Sequence, residues 1–497
     1  MKSLLSKSER RRIEMMEMLD AAEGWMAASQ LTETLACSER IIREDASELN
    51  AMFDYLSIES QREHYRIIFK PGTGLETLYS HLLHHSIAFR LLRCTFFKNY
   101  NTMKSLADAL YISQATLYRL LTRINTALGR HYGITFDTIS CRLEGDEADI
   151  RFFYSQYFAE AYDTFDWPFE RIDERAFSDF LECVIEESGV YMDFAIFRYV
   201  KIVSAVNFIR YSRGHLVDHR SDMDDIYSRL MKDAHRFEAA EKRLGIRLTR
   251  SAFEQIFTAF VQPHFHYTYT SLATSADHDD YTAASIDALN RLMDQLSIDN
   301  DIPCPDRRPI ILNMHNTALL EKHDIYLRPI LSDRKQAFMK RLEHEYPDFC
   351  RQLHEAVIEY RRVLGRSTDT FILNQLIYTW FVNWEGLMHH LEAKRRPLGL
   401  LVLSNHDMYH ARMIADTITH EFGSRVDVAA PKGINITKED LEHSNCDLII
   451  TNFALQNFKG PPCIQVSQFP DHADMLKIRE ALMPSASLQG KALNSSI

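Results

Sequence analysis

The chain has 497 residues, 46% of them hydrophobic and 25% charged, with a formal net charge of -12. Such proportions belong to a globular protein of several domains. No apolar run reaches the ~18 residues of a membrane span. The basic N-terminus lacks the apolar segment of a secretory leader, so a cytoplasmic chain with no membrane partner is expected.

Residues 8–53 predict three helices. "SERRRIEMMEMLDAAE" carries apolar residues at helical spacing, with Ser8 as N-cap, and "SERIIREDASELNAMF" follows a short helix with Ser38 as its cap. "YLSIESQREHYRIIFKPG" then alternates like a two-stranded wing and stops at Pro71-Gly72. Next, "LETLYSHLLHHSIAFRLLRCTFF" predicts a support helix, "TMKSLADAL" a first helix and "SQATLYRLLTRINTALGRHYG" a second one capped by Ser113. "ITFDTISCRLEGDEADIRFF" predicts a hairpin turning into a helix near Asp146.

Residues 150–390 are nearly all helical in pattern. They fall into two blocks parted near Pro303, Pro305 and Pro309, which do not suit a helix interior. From Pro397 four short strand-like runs alternate with helical stretches, which means a small α/β domain with a largely parallel sheet. Residues 486–497 are Ser-rich and expected to fray. The eight cysteines are scattered without a C-x-x-C pair, as suits free thiols in a reducing compartment. No cofactor or metal site is expected.

Two stretches have the spacing of a helix-turn-helix, in which one helix braces a second that enters the DNA major groove. In "SLADALYISQATLYRLLTRI" the inner face is Leu106, Ala107, Leu110, Ile112, Leu117 and Leu120. Ser113, Gln114, Thr116, Tyr118, Arg119 and Arg123 face outward, with Gln114 suited to base edges and the hydroxyls and arginines to phosphate. From Glu76 to Arg142 eight Lys/Arg stand against three acids, so positive charge is gathered locally on an acidic chain. In the first stretch Ser38, Arg40 and Arg43 would face the groove, with Leu31, Leu35, Ile41 and Leu49 inside. Glu39, Glu44 and Asp45 on the same helix either repel phosphate or orient the arginines.

These two units, with "SERIIREDASELN" in the first and "SLADALYISQATLYRLLTRIN" and "LEGDEADIRFFYSQYF" in the second, resemble the Mga/AtxA-type transcriptional regulators. The resemblance covers almost the whole chain and implies a multidomain, mainly α architecture. It places a winged helix-turn-helix at 1–73, a second helix-turn-helix at 74–160 and helical regulatory (PRD-like) domains at 161–290 and 291–394. An α/β domain similar to an EIIB phosphocarrier follows at 395–485. It further implies a homodimer or higher oligomer that binds double-stranded DNA and acts as an activator. Histidines in its regulatory domains would accept phosphoryl groups from a phosphotransferase-system carrier protein.

Neutral imidazole is a competent nucleophile, and its phosphorylation adds a strong local negative charge. His215 (beside His219), His315, His264 (beside His266) and His389 (beside His390) fall where the family's regulatory motifs lie. A working phosphocarrier has a cysteine in the loop after its first strand. Here "LGLLVL" runs into Ser404-Asn405-His406-Asp407, and Cys446 and Cys463 are expected in the core of later strands. The resemblance therefore implies the carrier fold without carrier activity, used for self-association or docking, with His406 as an alternative acceptor. Two other readings stand beside this one: an RNA-binding antiterminator with the same regulatory domains, and an enzyme of the phosphotransfer chain.

Overall fold

The computed structural model describes residues 1–22, 24–188, 194–218, 227–228, 231–233, 235–257, 266–319, 329–431 and 436–482. The tail expected at 486–497 lies outside them. The chain forms two compact units, Met1–Leu296 with Asp306–Asn383, and Ser297–Pro305 with Trp384–Ile497.

The first unit opens with a winged helix made of α1 (Lys7–Ala21), β1 (Met26–Ala27), α2 (Ala28–Thr34), α3 (Glu39–Met52), β2 (Leu56–Gln61) and β3 (His64–Phe69). Helix α1 begins at Ser6 rather than Ser8. The Ser6 hydroxyl accepts the Glu9 N–H and the Glu9 carboxylate accepts the Ser6 N–H, a reciprocal capping box. Ile42, Ala46 and Leu49 fall on one face of α3 and are buried. Ile41, expected inside, sits one position off that stripe and is only partly covered. Strand β3 lies between β1 and β2, and the pairing of Gln61 with His64 leaves Arg62 and Glu63 as the wing turn. Both are left-handed, at φ 47° and 62°, the turn geometry whose twist matches a two-stranded ribbon.

The second module runs α4 (Leu75–His85), α5 (Ile87–Phe97), α6 (Met103–Leu110), α7 (Gln114–Tyr132), β4 (Thr135–Asp137), β5 (Arg142–Glu144) and α8 (Glu147–Ala161). The expected single support helix is two, because Ser86 is extended at ψ 133° and separates α4 from α5. Asp146 caps α8 by accepting the Ala148 N–H at 2.9 Å.

One device recurs in both modules. Asn50 on α3 brackets the backbone of Ile58, its Nδ2 donating to the carbonyl at 2.9 Å and its Oδ1 accepting the N–H at 2.7 Å. Asn125 on α7 does the same to Phe136, at 3.1 and 2.7 Å. Each asparagine lies twelve residues beyond the serine at its helix N-cap position, Ser38 or Ser113. The hairpin is thus set at a fixed height along each second helix.

Among the described residues the regular elements in the remainder of this unit are helices, beginning with α9 (Glu174–Ser188) and α10 (Phe194–Ser212). Pro303 and Pro305 lie between helices Asp280–Asn300 and Arg308–Leu319, where the break was expected. Pro309 is the second residue of the latter helix, in the first turn, where its missing N–H would have had no partner.

Among its described residues the second unit carries four strands, β6 (Leu398–Leu403), β7 (Val426–Ala429), β8 (Leu448–Thr451) and β9 (Cys463–Gln465). They are ordered β7-β6-β8-β9, and every pairing is parallel. Leu400, Val402 and Ile450 of the sheet pack with Ile414 and Ile418 of helix Met408–Phe422 and Ile478 of helix His472–Leu482. The α/β character read from the sequence holds. Cys463, expected in the core, is exposed at the start of β9, and Cys446 is half-buried before β8.

Candidate nucleic-acid interface

Helices α6 and α7 meet through Leu106, Ala107, Leu110, Leu117 and Leu120, all buried, with Ile112 half-buried at the turn. Tyr111 makes the turn in the left-handed region (φ 58°) and is 89% exposed. The Ser113 hydroxyl accepts the Thr116 N–H at 3.1 Å and lies 2.9 Å from the Thr116 hydroxyl, so the first turn of α7 is closed by its own cap. Gln114, Tyr118 and Arg119 are exposed beside this cap and Thr116 is half-exposed.

Arg123 is also on the outer side, but its Nη2 donates to the carbonyls of Ser3 at 3.0 Å and Leu5 at 2.7 Å. It ties the N-terminal segment to α7. Lys98, Lys104, Arg119 and Arg130 make no ion pair among the described residues. Four of the eight cations counted in the sequence are therefore left without an acidic partner, whereas Arg142 pairs with Glu144 at 3.8 Å.

The first module arranges its charge differently. Ser38 stands at the N-cap position of α3, exposed and without a side-chain cap bond. Arg40 pairs with Glu44 at 2.8 Å and Arg43 with Glu39 at 2.9 Å, each across one helical turn on the surface. These acids orient the arginines, and such exposed pairs exchange partners readily in water. Asp45 takes no part in that surface. It is buried and held by Arg11 Nε at 2.5 Å and Arg12 Nε at 2.8 Å, both from α1. The sequence offers two roles for Asp45, repelling phosphate or orienting the arginines of its own helix, and this clamp to α1 is neither of them.

The candidate switch histidines fall in different settings. His215 is half-buried just after α10. Burial first, and then the charge of Arg210, lower its pKa below the ordinary histidine value, so its ring is neutral near pH 7. The loop carrying it is strapped to the second DNA-binding module. Arg151 of α8 donates to the His215 carbonyl at 2.9 Å and to the Gln255 carbonyl at 2.7 Å. Arg213 donates to the carbonyls of Phe96 and Phe97 on α5. Glu147 of α8 accepts from both Arg151 and Arg210. The i, i+4 spacing of Glu147 and Arg151 was a legible signal for this strap.

His315 is 1% exposed, with Nδ1 2.9 Å from the Ser285 hydroxyl, which in turn lies 2.7 Å from the Tyr360 hydroxyl. His389 is exposed on helix Leu387–Ala393, its ring 5.7 Å from that of His390. His264 and His219 lie outside the described residues. Among the described residues no three His, Cys, Asp or Glu side chains are placed to hold a metal ion, and no helix is long and apolar enough to cross a membrane.

Two helix-turn-helix modules in series, the second with four cations that lack an acidic partner among the described residues, define a DNA-binding transcriptional regulator. Comparison with known families agrees. Residues 6–64 match the M protein trans-acting positive regulator (MGA) HTH domain, residues 72–158 the Mga helix-turn-helix domain, and residues 172–387 the MGA PRD domain. The chain belongs to the Mga/AtxA-type regulators.

It is 29% identical over 461 residues to a Streptococcus pneumoniae protein described as a trans-acting regulator, covering 92% of this chain and 93% of that one. The capsule synthesis positive regulator AcpB of Bacillus anthracis is 21% identical over 96% of this chain and 98% of its own. The anthrax toxin expression trans-acting positive regulator of the same organism is 19% identical over 96% and 99%.

Proposed function

We propose that this chain is a transcriptional activator whose principal DNA-reading element is α7. Ser113, Gln114, Thr116, Tyr118 and Arg119 are set in the major groove, and Ser38, Arg40 and Arg43 of α3 make a second contact. The observation that carries this is the exposed first turn of α7, in a module whose Lys98, Lys104, Arg119 and Arg130 have no acidic partner among the described residues. Arg123 supports the reading indirectly, by holding the N-terminal segment against α7. A duplex of cognate promoter DNA, titrated in a gel-shift assay against wild type and Arg119→Ala, tests it. The variant is expected to bind about tenfold more weakly and with a salt slope shallower by about one. Equal affinity overturns the assignment.

Regulation is proposed through the helical blocks 161–290 and 291–394. A phosphotransferase-system carrier would phosphorylate His215, placing a dianion-like group beside Arg210 and Arg213. Those arginines now hold Glu147 and the α5 carbonyls, so their recapture would loosen the strap on the DNA-binding module. His389 is open to the same chemistry, and His264 remains a candidate by its position in the sequence. His315 would accept only after the helices around it part, since its ring is buried. Homodimers or higher oligomers, with residues 395–485 as a self-association domain, would present paired α7 helices about 34 Å apart or a multiple of that. Phosphohistidine mapping under acid-free conditions, after incubation with the phosphorylated carrier, checks the regulatory half.

A further inference from the structure

The β7-β6-β8-β9 order reverses direction at β6, so the crevice beyond the carboxyl ends of β6 and β8 is the sheet's topological switch point, where α/β folds bind and transform ligands. A dense polar constellation occupies it. Asn452, after β8, accepts the Asn405 N–H at 3.0 Å and donates to the Asn405 side chain at 2.7 Å. Ser404, the first residue after β6, has its hydroxyl 2.8 Å from His410 Nδ1. On its other side His410 Nε2 lies 2.7 Å from the backbone carbonyl of Gln468, beyond β9.

The tautomer follows from these partners. A carbonyl only accepts, so Nε2 carries the proton and donates to Gln468. Nδ1 of the neutral ring is then a bare lone pair, and the Ser404 hydroxyl donates to it. This is the serine–imidazole–acceptor order of an activated hydroxyl: the base is in contact with the nucleophile, and a third group fixes its ring. The His406 N–H, 3.0 Å from the same oxygen, steadies the hydroxyl further.

We propose that Ser404 is a modification site, a nucleophile that takes one phosphoryl group from a high-energy donor of the acyl phosphate or phosphoimidazole class. Ser404 Oγ attacks phosphorus and the Oγ–P bond forms. The P–O bond of an acyl phosphate or the P–N bond of a phosphoimidazole breaks, and a carboxylate or an imidazole leaves with the bonding pair. The hydroxyl proton passes to His410 Nδ1. The resulting imidazolium, still donating to Gln468, is left beside the new phosphoester.

The product argues for a retained group rather than a relay. The Asn405 N–H is taken by Asn452, and the N–H groups of Tyr409 and His410 are taken by Asp407, which holds the loop around Ser404 in shape. A serine phosphoester has a low transfer potential, so the group stays once it arrives. Met408 and Tyr409, just before His410 in sequence, and Phe469, just after Gln468, are exposed at 54%, 73% and 69%.

The test incubates the full-length protein with acetyl phosphate in one arm and phosphoramidate in the other, then maps any added phosphoryl group by fragment mass. The expected result is one group on Ser404 in at least one arm, which also identifies the donor class. The group should be absent from Ser404→Ala and appear about a hundredfold more slowly in His410→Gln, as loss of a general base implies. No group on Ser404 in wild type from either donor overturns the proposal. So does an unchanged rate in His410→Gln with a wild-type circular dichroism spectrum.

Discussion

Arg123 on α7 donates to the carbonyl of Leu5 at 2.7 Å, so the recognition helix of the second module carries the chain that enters the first. Arg119, one turn earlier, makes no such long-range contact among the described residues and reaches only the Ala115 carbonyl of its own helix. Two arginines that look alike in sequence therefore predict different phenotypes. Arg123→Ala is expected to lower stability by about 1 kcal/mol through lost charge-assisted bonds, read as a lower urea midpoint. Arg119→Ala is expected to leave that midpoint unchanged.

Asp45 predicts a second separation of folding from binding. Its carboxylate is buried between two guanidinium groups, and removing it leaves Arg11 and Arg12 without their shared partner. Asp45→Ala is expected to destabilise the winged helix by about 3 kcal/mol, seen as early loss of amide protection in α1 and α3. Glu44→Ala, on the surface, is expected to change stability little and to raise duplex affinity by removing negative charge from the groove side of α3.

The strap between α8 and α10 predicts a coupling. Arg210 and Glu147 are both largely buried, so Arg210→Ala leaves Glu147 with fewer partners and is expected to cost about 3 kcal/mol locally. Hydrogen exchange in α8 and in the loop of His215 should quicken together. Phosphorylated wild type should show the same pattern in a weaker form, and His215→Ala should not change on incubation with the carrier.

A pH dependence follows from His84 of α4, which bridges α5 and the end of α8 within the second module. Its Nδ1 accepts from Arg93 at 2.7 Å and its Nε2 donates to the Ala161 carbonyl at 2.8 Å. Burial first, then the Arg93 charge, lower its pKa below the ordinary 6.5. A histidine whose folded pKa is depressed contributes stability that is present above the unfolded value and lost as pH falls through the folded one. The melting temperature is expected to drop between pH 7 and pH 5, and His84→Asn is expected to flatten that dependence.

Much of this architecture could be read directly from residue patterns. The cap at Ser113, the helix start near Asp146, the wing between Leu56 and Phe69, and the parallel α/β unit all follow from local chemistry that tertiary packing does not override. The misses share a cause. Ser6 and Ser8 both suit an N-cap by type and only the reciprocal bond with Glu9 selects Ser6, while the break at Ser86 has no Gly or Pro to announce it. Asp45, Arg123 and His315 all look solvent-facing by type. Their roles are set by partners 30 to 120 residues away, which periodicity along one helix does not encode. Ser404 and His410 are six residues apart, yet the acceptor that fixes their tautomer comes from Gln468 on a different strand connection.

The central claim, that α7 reads a duplex, is tested most directly by titrating full-length protein onto promoter DNA across a salt series. Wild type, Arg119→Ala and Gln114→Ala are compared by fluorescence anisotropy. The account predicts a steep salt dependence for wild type, a slope shallower by about one for Arg119→Ala, and relaxed sequence preference for Gln114→Ala. Identical slopes and identical preference in all three proteins, with folding unchanged, would contradict it.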